Sequence, residues 1–342
     1  MKNILLLVLL FCLSNAQELL RQKALSKGLR SIPKDFNQLK EQLDDIDNPM
    51  SIEKIKLGRK LFNDKNLSLD GTISCASCHD LSKGGEDSIP TAIGYKKQKN
   101  PSHLNTPTVL NTAYSKHLFW DGRASSLREQ AKGPIQAHFE MASTPKLVEQ
   151  RTGMKFDEVV NAIAVYEKTL LTRSRYDDYL DGDDNALSLE EKRGLNLFID
   201  MGCKSCHFGV GVGGQRVQKF PLRDYNSILN LTTTFNEKTK GRDVKNVSIS
   251  FKMNKNFPFE NKGGFLGKNN NKQFRVPILR NISKTAPYFH NGIVKTLRES
   301  IEIMSKYQLG IELENDQLSA LEAFLKSLDG QIVNYKEINL LN

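Results

Sequence analysis

Apart from Cys12, every cysteine in the chain falls in one of two copies of a five-residue pattern, Cys75-Ala76-Ser77-Cys78-His79 and Cys203-Lys204-Ser205-Cys206-His207. This C-x-x-C-H spacing is the c-type haem attachment signature. Two thiols so spaced on a helical turn reach the two vinyl groups of one porphyrin, and the adjacent His turns its imidazole toward the iron. A disulfide within each pair, a redox C-x-x-C or one tetrahedral zinc site drawn from both pairs would use the same cysteines. None of these requires a His directly after the second Cys. The pattern therefore predicts two covalently bound haem c groups on Cys75, Cys78, Cys203 and Cys206, with His79 and His207 as iron ligands.

Lys2 is followed by an apolar run from Ile4 to Leu13 and by Ser14-Asn15-Ala16, a charged region, a short hydrophobic region and a small-x-small cleavage site. The run is too short to span a bilayer. A lipoprotein signal at Cys12 is the competing reading, but Phe11 stands where such a site needs a small residue. Residues 1–16 are thus expected to be a cleaved signal peptide, with the mature protein beginning at Gln17 in the periplasm. No later stretch is long and apolar enough to predict a membrane span. Export fits the cysteine usage, because c-type haem is attached outside the cytoplasm and no cysteine is left over for disulfides. The haems take their place as staples.

A chain of 342 residues, 39% hydrophobic and 26% charged, reads as globular and long enough for two buried cores. Its net charge of +10 does not point to nucleic acid, since Lys and Arg are spread widely and export removes that partner. A weak internal repeat supports two haem-bearing halves. Gly58-Arg59-Lys60-Leu61-Phe62-Asn63-Asp64 precedes the first motif and Gly194-Leu195-Asn196-Leu197-Phe198-Ile199-Asp200 the second, both G-x-x-L-F-x-D. Leu and Phe at these places present an apolar edge either to a porphyrin or to the ordinary core. Apolar residues near a 3.6 period predict helices from Phe156 to Leu171 and from Asp316 to Leu328. The polar cluster Tyr179 to Asn185 predicts a turn between domains. Residues 209–275, rich in Gly, Asn and Lys, predict a long loop with a few short strands. Gly209, Gly211 and Gly214 nominally match a dinucleotide fingerprint, but they follow a haem motif and not a strand, so that reading is rejected.

From about Asp45 to Gly330 the chain resembles the bacterial dihaem cytochrome c peroxidases. The resemblance rests on Cys78-His79-Asp80-Leu81-Ser82-Lys83-Gly84-Gly85, Phe119-Trp120-Asp121-Gly122-Arg123-Ala124, Glu129 to Pro134, Glu140-Met141, Arg280-Asn281-Ile282, Thr285 to Gly292 and Gln308-Leu309-Gly310. It implies a mainly α fold of two c-type cytochrome-like haem domains with long loops and few short strands. Residues 17–182 would form the N-terminal peroxidatic domain and 183–342 the C-terminal electron-transfer domain. The first haem would reduce hydrogen peroxide to water, and the second would take electrons from a small c-type cytochrome or cupredoxin. The family's motif places the second haem's axial ligand on Met304, and His/Met ligation raises the iron potential. It further implies Glu140 as acid/base with Gln130 as its pocket partner and Trp120 between the haems. A calcium ion would be held by oxygens of Asn105, Thr285 and Pro287, a ligand set that suits calcium. A homodimer is a further family expectation. His290 falls in a matched segment and is expected near the second haem, while His117 and His138 are read as exposed or structural.

Two other functions compete. Related dihaem enzymes oxidise residues of a partner protein, as in quinone-cofactor maturation, but place Tyr on the second haem where Met304 stands here. A plain dihaem electron carrier would not need Glu140 and Gln130.

The sequence departs from the family at one place. Many members carry a His on the distal side of the resting peroxidatic haem; counting on from His79, that position is Tyr95. Tyr95 ligates the iron as phenolate, a nearby His such as His103 substitutes, or the haem stands open. An open or weakly ligated haem is the favoured reading. It predicts that the all-ferric protein consumes peroxide in stopped-flow mixing without prior reduction of the second haem. An inactive ferric form with a six-coordinate low-spin spectrum would contradict it.

Overall fold

The computed structural model describes residues 18–223 and 257–338. The expected signal peptide, with Cys12, lies outside the described residues, as does the middle of the expected long loop. The fold is mainly helical, with four strands of two or three residues among the described residues. Thr172–Arg173 pairs antiparallel with Gln331–Ile332, and Val217–Lys219 pairs antiparallel with Gln273–Arg275.

Each half is built on a close crossing of two helices. In the first, Ile52–Phe62, capped by the Ser51 hydroxyl, packs on Phe156–Glu167. In the second, Leu189–Asp200 packs on Asn315–Ser327. The helix Leu189–Asp200 opens with a reciprocal capping box, in which Glu191 accepts from the Ser188 amide and Ser188 from the Glu191 amide. The glycines of the G-x-x-L-F-x-D repeat sit at these crossings. A Cβ on Gly58 would lie 2.0 Å from the Ala162 carbonyl oxygen, and one on Gly194 would lie 1.9 Å from that of Ala320. The repeat is therefore a packing device first: glycine lets two helix backbones touch.

Its phenylalanines serve the haem motifs as well. Phe62 and Phe198 are buried, and their rings lie 6.5 Å from His79 and 6.4 Å from His207. The core reading of this position holds, and the same ring lies beside the histidine of its motif.

A second internal repeat, invisible to the hydrophobic pattern, emerges from the backbone. Asn111 and Asn281 both adopt left-handed φ and each starts a short 3-10 turn, Thr112–Tyr114 and Ile282–Lys284. Seven residues on, Leu118 bridges Ala124 as Tyr288 bridges Val294, with Phe119 and Phe289 left-handed at φ 65 and 67. Trp120 in the first half thus occupies the place of His290 in the second.

Buried residues gather in two large clusters, and the chain ends cross between them. Ala24 and Leu29 pack with the second helix pair, together with Tyr176 and Tyr179, while Tyr335 and Ile338 return to the first.

Overpacking a crossing typically costs about 1–3 kcal/mol. Gly58→Ala and Gly194→Ala are each expected to lose at least this much, read from urea unfolding, because the added methyl meets backbone and not a movable side-chain tip.

Candidate functional site

The first motif forms a single helical turn, Cys75–Cys78, and His79 follows at its C-cap. His79 Nδ1 lies 3.1 Å from the Gly85 carbonyl oxygen and must donate to it, which leaves Nε2 bare for a metal. Gly84 and Gly85, both left-handed, allow the chain to fold back under the ring. His207, in the second motif, is buried, and burial pulls its ring down to about 4, so it stays neutral and ligand-competent. The four cysteines are free of disulfides. Burial pushes the Cys203 thiol up to about 12 and that of Cys78 up to about 11, the latter helped by Asp87 and Glu140. Such thiols lack the low pKa of a redox C-x-x-C. Among the described residues no three His, Cys, Asp or Glu side chains gather to hold a metal, which removes the shared zinc site.

A large cavity opens against the second motif. Cys203, Cys206 and His207 line it together with Met304, and Phe198, Leu297, Ile301, Leu321 and Leu325 supply apolar walls. Met304 ends the helix Leu297–Met304 exactly where the coil widens into a π turn, Ser305–Leu309, an irregularity common at functional positions. Thiols, a neutral imidazole and a thioether around one apolar cavity fit a haem c. Of the calcium candidates, Asn105, Thr285 and Pro287 line this same cavity. The Asn105 amide donates to the His290 carbonyl, at 2.9 Å, so residues of both halves meet there.

Trp120 also faces this cavity and donates from Nε1 to the Asn105 carbonyl at 2.7 Å. His290 sits on the cavity wall, buried, bonded to Asn261 Oδ1 at 2.7 Å and stacked on Phe274 at 4.6 Å. His117 is half-buried and His138 exposed, its ring edge-on to Phe139.

Near the first motif, Glu140 is half-buried and close enough to Cys78 to act on its charge. Burial raises the Glu140 carboxyl above the ordinary range, and Arg123 opposes the rise. Arg123 is itself held by Asp121 at 2.9 Å and lies over the Phe119 ring at 3.6 Å. Gln130 is half-buried on the helix Leu127–Gln136, which leads directly into the turn carrying Glu140. The Tyr95 amide donates to the Glu140 carbonyl at 2.7 Å, so the departing residue stands beside the acid. His103 lies in a separate turn, its amide bonded to the Asn100 carbonyl.

Three groups escape the sequence reading. Arg123 sits inside a quoted motif but gains meaning only beside Glu140. Glu167 is buried with one carboxyl oxygen lacking a partner among the described residues, and its pKa is pushed up to about 8; nothing in its amphipathic helix distinguishes it. Arg275 lies in an aperiodic stretch and has no sequence signal at all.

If the thiols carry the haems, Cys203→Ala with Cys206→Ala is expected to halve the covalent haem, seen as loss of one haem mass from the matured chain.

The family model for di-haem cytochrome c peroxidase matches residues 52–185. The chain is 38% identical over 325 residues to the cytochrome c551 peroxidase of Pseudomonas aeruginosa, covering 88% of this chain and 84% of that one. To the cytochrome c551 peroxidase of Nitrosomonas europaea it is 38% identical over 306 residues, 84% of this chain and 83% of the relative. The methylamine utilization protein MauG of Methylophilus methylotrophus is more distant, at 29% over 316 residues, 83% of this chain and 85% of that protein. Among solved structures, a MauG-like protein associated with microbial copper homeostasis superposes with TM-score 0.66 at 25% identity, covering 91% of this chain and 95% of that one. With its paired C-x-x-C-H motifs and this extent of identity to named peroxidases, the chain belongs to the di-haem cytochrome c peroxidase family.

Proposed function

We propose that this chain is a periplasmic peroxidase that reduces hydrogen peroxide to two waters, using two electrons and two protons, with the electrons delivered singly by a small c-type cytochrome or cupredoxin. The observation that carries this assignment is the pair of unlike sites: a half-buried acid with a raised pKa beside the first motif, and a Met lining the same apolar cavity as the His of the second. Cys75, Cys78 and His79 would hold one haem, which would supply redox iron for O–O cleavage, and Cys203, Cys206, His207 and Met304 would hold a second, which would supply an electron store.

The protein's own part is proton handling and placement. Glu140 takes a proton from one peroxide oxygen and returns it to the other, so that water departs as the bond breaks; a carboxyl with a pKa above its ordinary range suits both steps. Gln130 positions the peroxide beside it. Trp120 would serve as a relay between the two haems; its place on the wall of the second cavity and its bond to Asn105 support that role. Calcium at Asn105, Thr285 and Pro287 would pin the halves together where the Asn105 amide already meets His290. The division into two cytochrome-like domains near residue 182 is supported by the repeated helix pair and the repeated left-handed turn, with Ala24, Leu29, Tyr176 and Tyr179 joining the second core and Tyr335 and Ile338 the first. The signal peptide and the homodimer complete this reading. No helix among the described residues is long and apolar enough to cross a membrane. A mildly acidic donor docking at this basic protein gives rates that fall as salt rises.

Steady-state oxidation of a reduced donor tests the assignment. Glu140→Gln is expected to lower kcat/KM by about 10²–10⁴, and equal activity of the two proteins would refute the acid/base role. Arg123 favours the ionised form of Glu140. Its removal raises the carboxyl pKa further, and activity that needs the carboxylate is lost as pH falls through that pKa. Arg123→Gln is therefore expected to move the acidic limb of the pH–rate profile to higher pH.

A further inference from the structure

A guanidinium with two of its three nitrogens unpartnered among the described residues stands in the wall of the cavity lined by Cys203, His207 and Met304. Arg275 lines this cavity, is only 3% exposed, and its Nε and Nη1 have no hydrogen-bond partner among the described residues. Arg280, five residues on, shows how the fold treats an arginine whose partner is protein: it is equally buried and bonded on all three nitrogens. A buried charge with no counter-ion is costly, by several kcal/mol even after relaxation. Leu, Ile and Phe supply much of the remaining wall, its polar members are neutral side chains and Lys219, and no Asp or Glu among the described residues lines the cavity.

The root of the side chain is fixed. The Arg275 amide donates to the Trp120 carbonyl at 2.8 Å, Val217 faces Arg275 across the strand pair, and the guanidinium carbon lies 5.8 Å from the Trp120 ring centre. Among the described residues, the charged groups on the neighbouring elements are cationic or neutral, and no carboxylate lines the cavity. Arg216, at the foot of the paired strand, lies over the Phe208 ring, and Lys219 ends that strand. His290, stacked on the neighbouring Phe274, is kept neutral by burial. The group expected in this cavity brings its own anions, since a haem carries two propionate carboxylates on one edge. Planar, bidentate recognition of a carboxylate is what an arginine fork does best.

We propose that Arg275 is the buried counter-ion of a propionate on the C-terminal haem and that, by neutralising it next to Trp120, it raises that haem's reduction potential. The proposal rests on haem being seated at Cys203, Cys206 and His207. Burial and hydrogen bonding around a haem are established levers on its potential, and a cation beside the propionate favours the reduced, less positive iron.

Spectroelectrochemical titration of the holoprotein, with haem counted by mass, tests it. In Arg275→Gln the reduced-to-oxidised ratio of the C-terminal haem at a fixed poise is expected to fall about tenfold, about 59 mV for one electron. Arg275→Lys, a milder change that serves where the Gln variant does not mature, keeps a charge at neutral pH. Its potential is expected to fall at alkaline pH as the buried ammonium deprotonates, while the wild type, whose guanidinium stays charged, remains level over the same range. An unchanged potential in fully loaded Arg275→Gln, or superimposable pH profiles for wild type and Arg275→Lys, overturns the role of Arg275 alone. Wild-type protein lacking haem at Cys203 and Cys206 overturns both this proposal and the haem assignment beneath it.

Discussion

The structure depends on one buried ion pair. Arg280 and Asp177 are both fully buried and meet fork to fork, Nη1 to Oδ2 and Nη2 to Oδ1 at 2.8 Å each. Taking two charges out of water is unfavourable unless the remaining donors and acceptors are used, and here four of the five guanidinium N–H groups and both carboxylate oxygens are bonded. Asp177 also accepts from the amides of Ile32 and Ser174, and Arg280 donates to the carbonyls of Val210 and Arg30. Four remote segments therefore converge: the N-terminal strand-like stretch, the helix Arg175–Leu180, the loop leaving the second haem motif, and the start of the repeated turn. Removing either partner would leave a charge stranded at the point where both hydrophobic clusters meet, and with it the placement of the loop that follows His207.

Around that anchor the molecule uses one plan twice and differentiates it by single residues. Asn111 and Asn281 turn the chain in the same left-handed way, and both bond Thr172, so the equivalent turns are tied to a common strand. Equivalent positions then diverge. Trp120 stands where the second half has His290, and Arg123, beside the acid Glu140, stands where the second half has Ile293. The first half consequently offers a cation and a carboxyl near its motif, whereas the second offers an apolar cavity and a thioether. A hydrogen-bonded chain joins them, from the His290 carbonyl to Asn105, from the Asn105 carbonyl to Trp120, and from the Trp120 carbonyl to Arg275.

Much of the fold was legible from the sequence. The helices expected from Phe156 and Asp316 run over Phe156–Glu167 and Asn315–Ser327, because a 3.6-residue apolar period leaves little choice to a segment packed on one face. The G-x-x-L-F-x-D repeat was visible, but its reason was not, since only the crossing shows that Gly58 and Gly194 are squeezed between backbones. The turn repeat at Asn111 and Asn281 went unread because left-handed backbone leaves almost no trace in hydrophobic pattern. Met304 and Glu140 were reached only through family motifs; a Met or Glu in isolation says nothing about which cavity it faces.

What the sequence determined by itself is chemistry that is local: thiols three positions apart with an imidazole next to them must present a haem-binding turn wherever the chain goes. What tertiary structure alone decided is which distant groups share a dielectric environment. Arg275 is an unremarkable basic residue in a Lys-rich stretch until burial strips it of water and partners, and Glu140 is one acid among many until the fold sets it beside Arg123 and Cys78. Charge becomes functional by desolvation and proximity, and both belong to the folded chain.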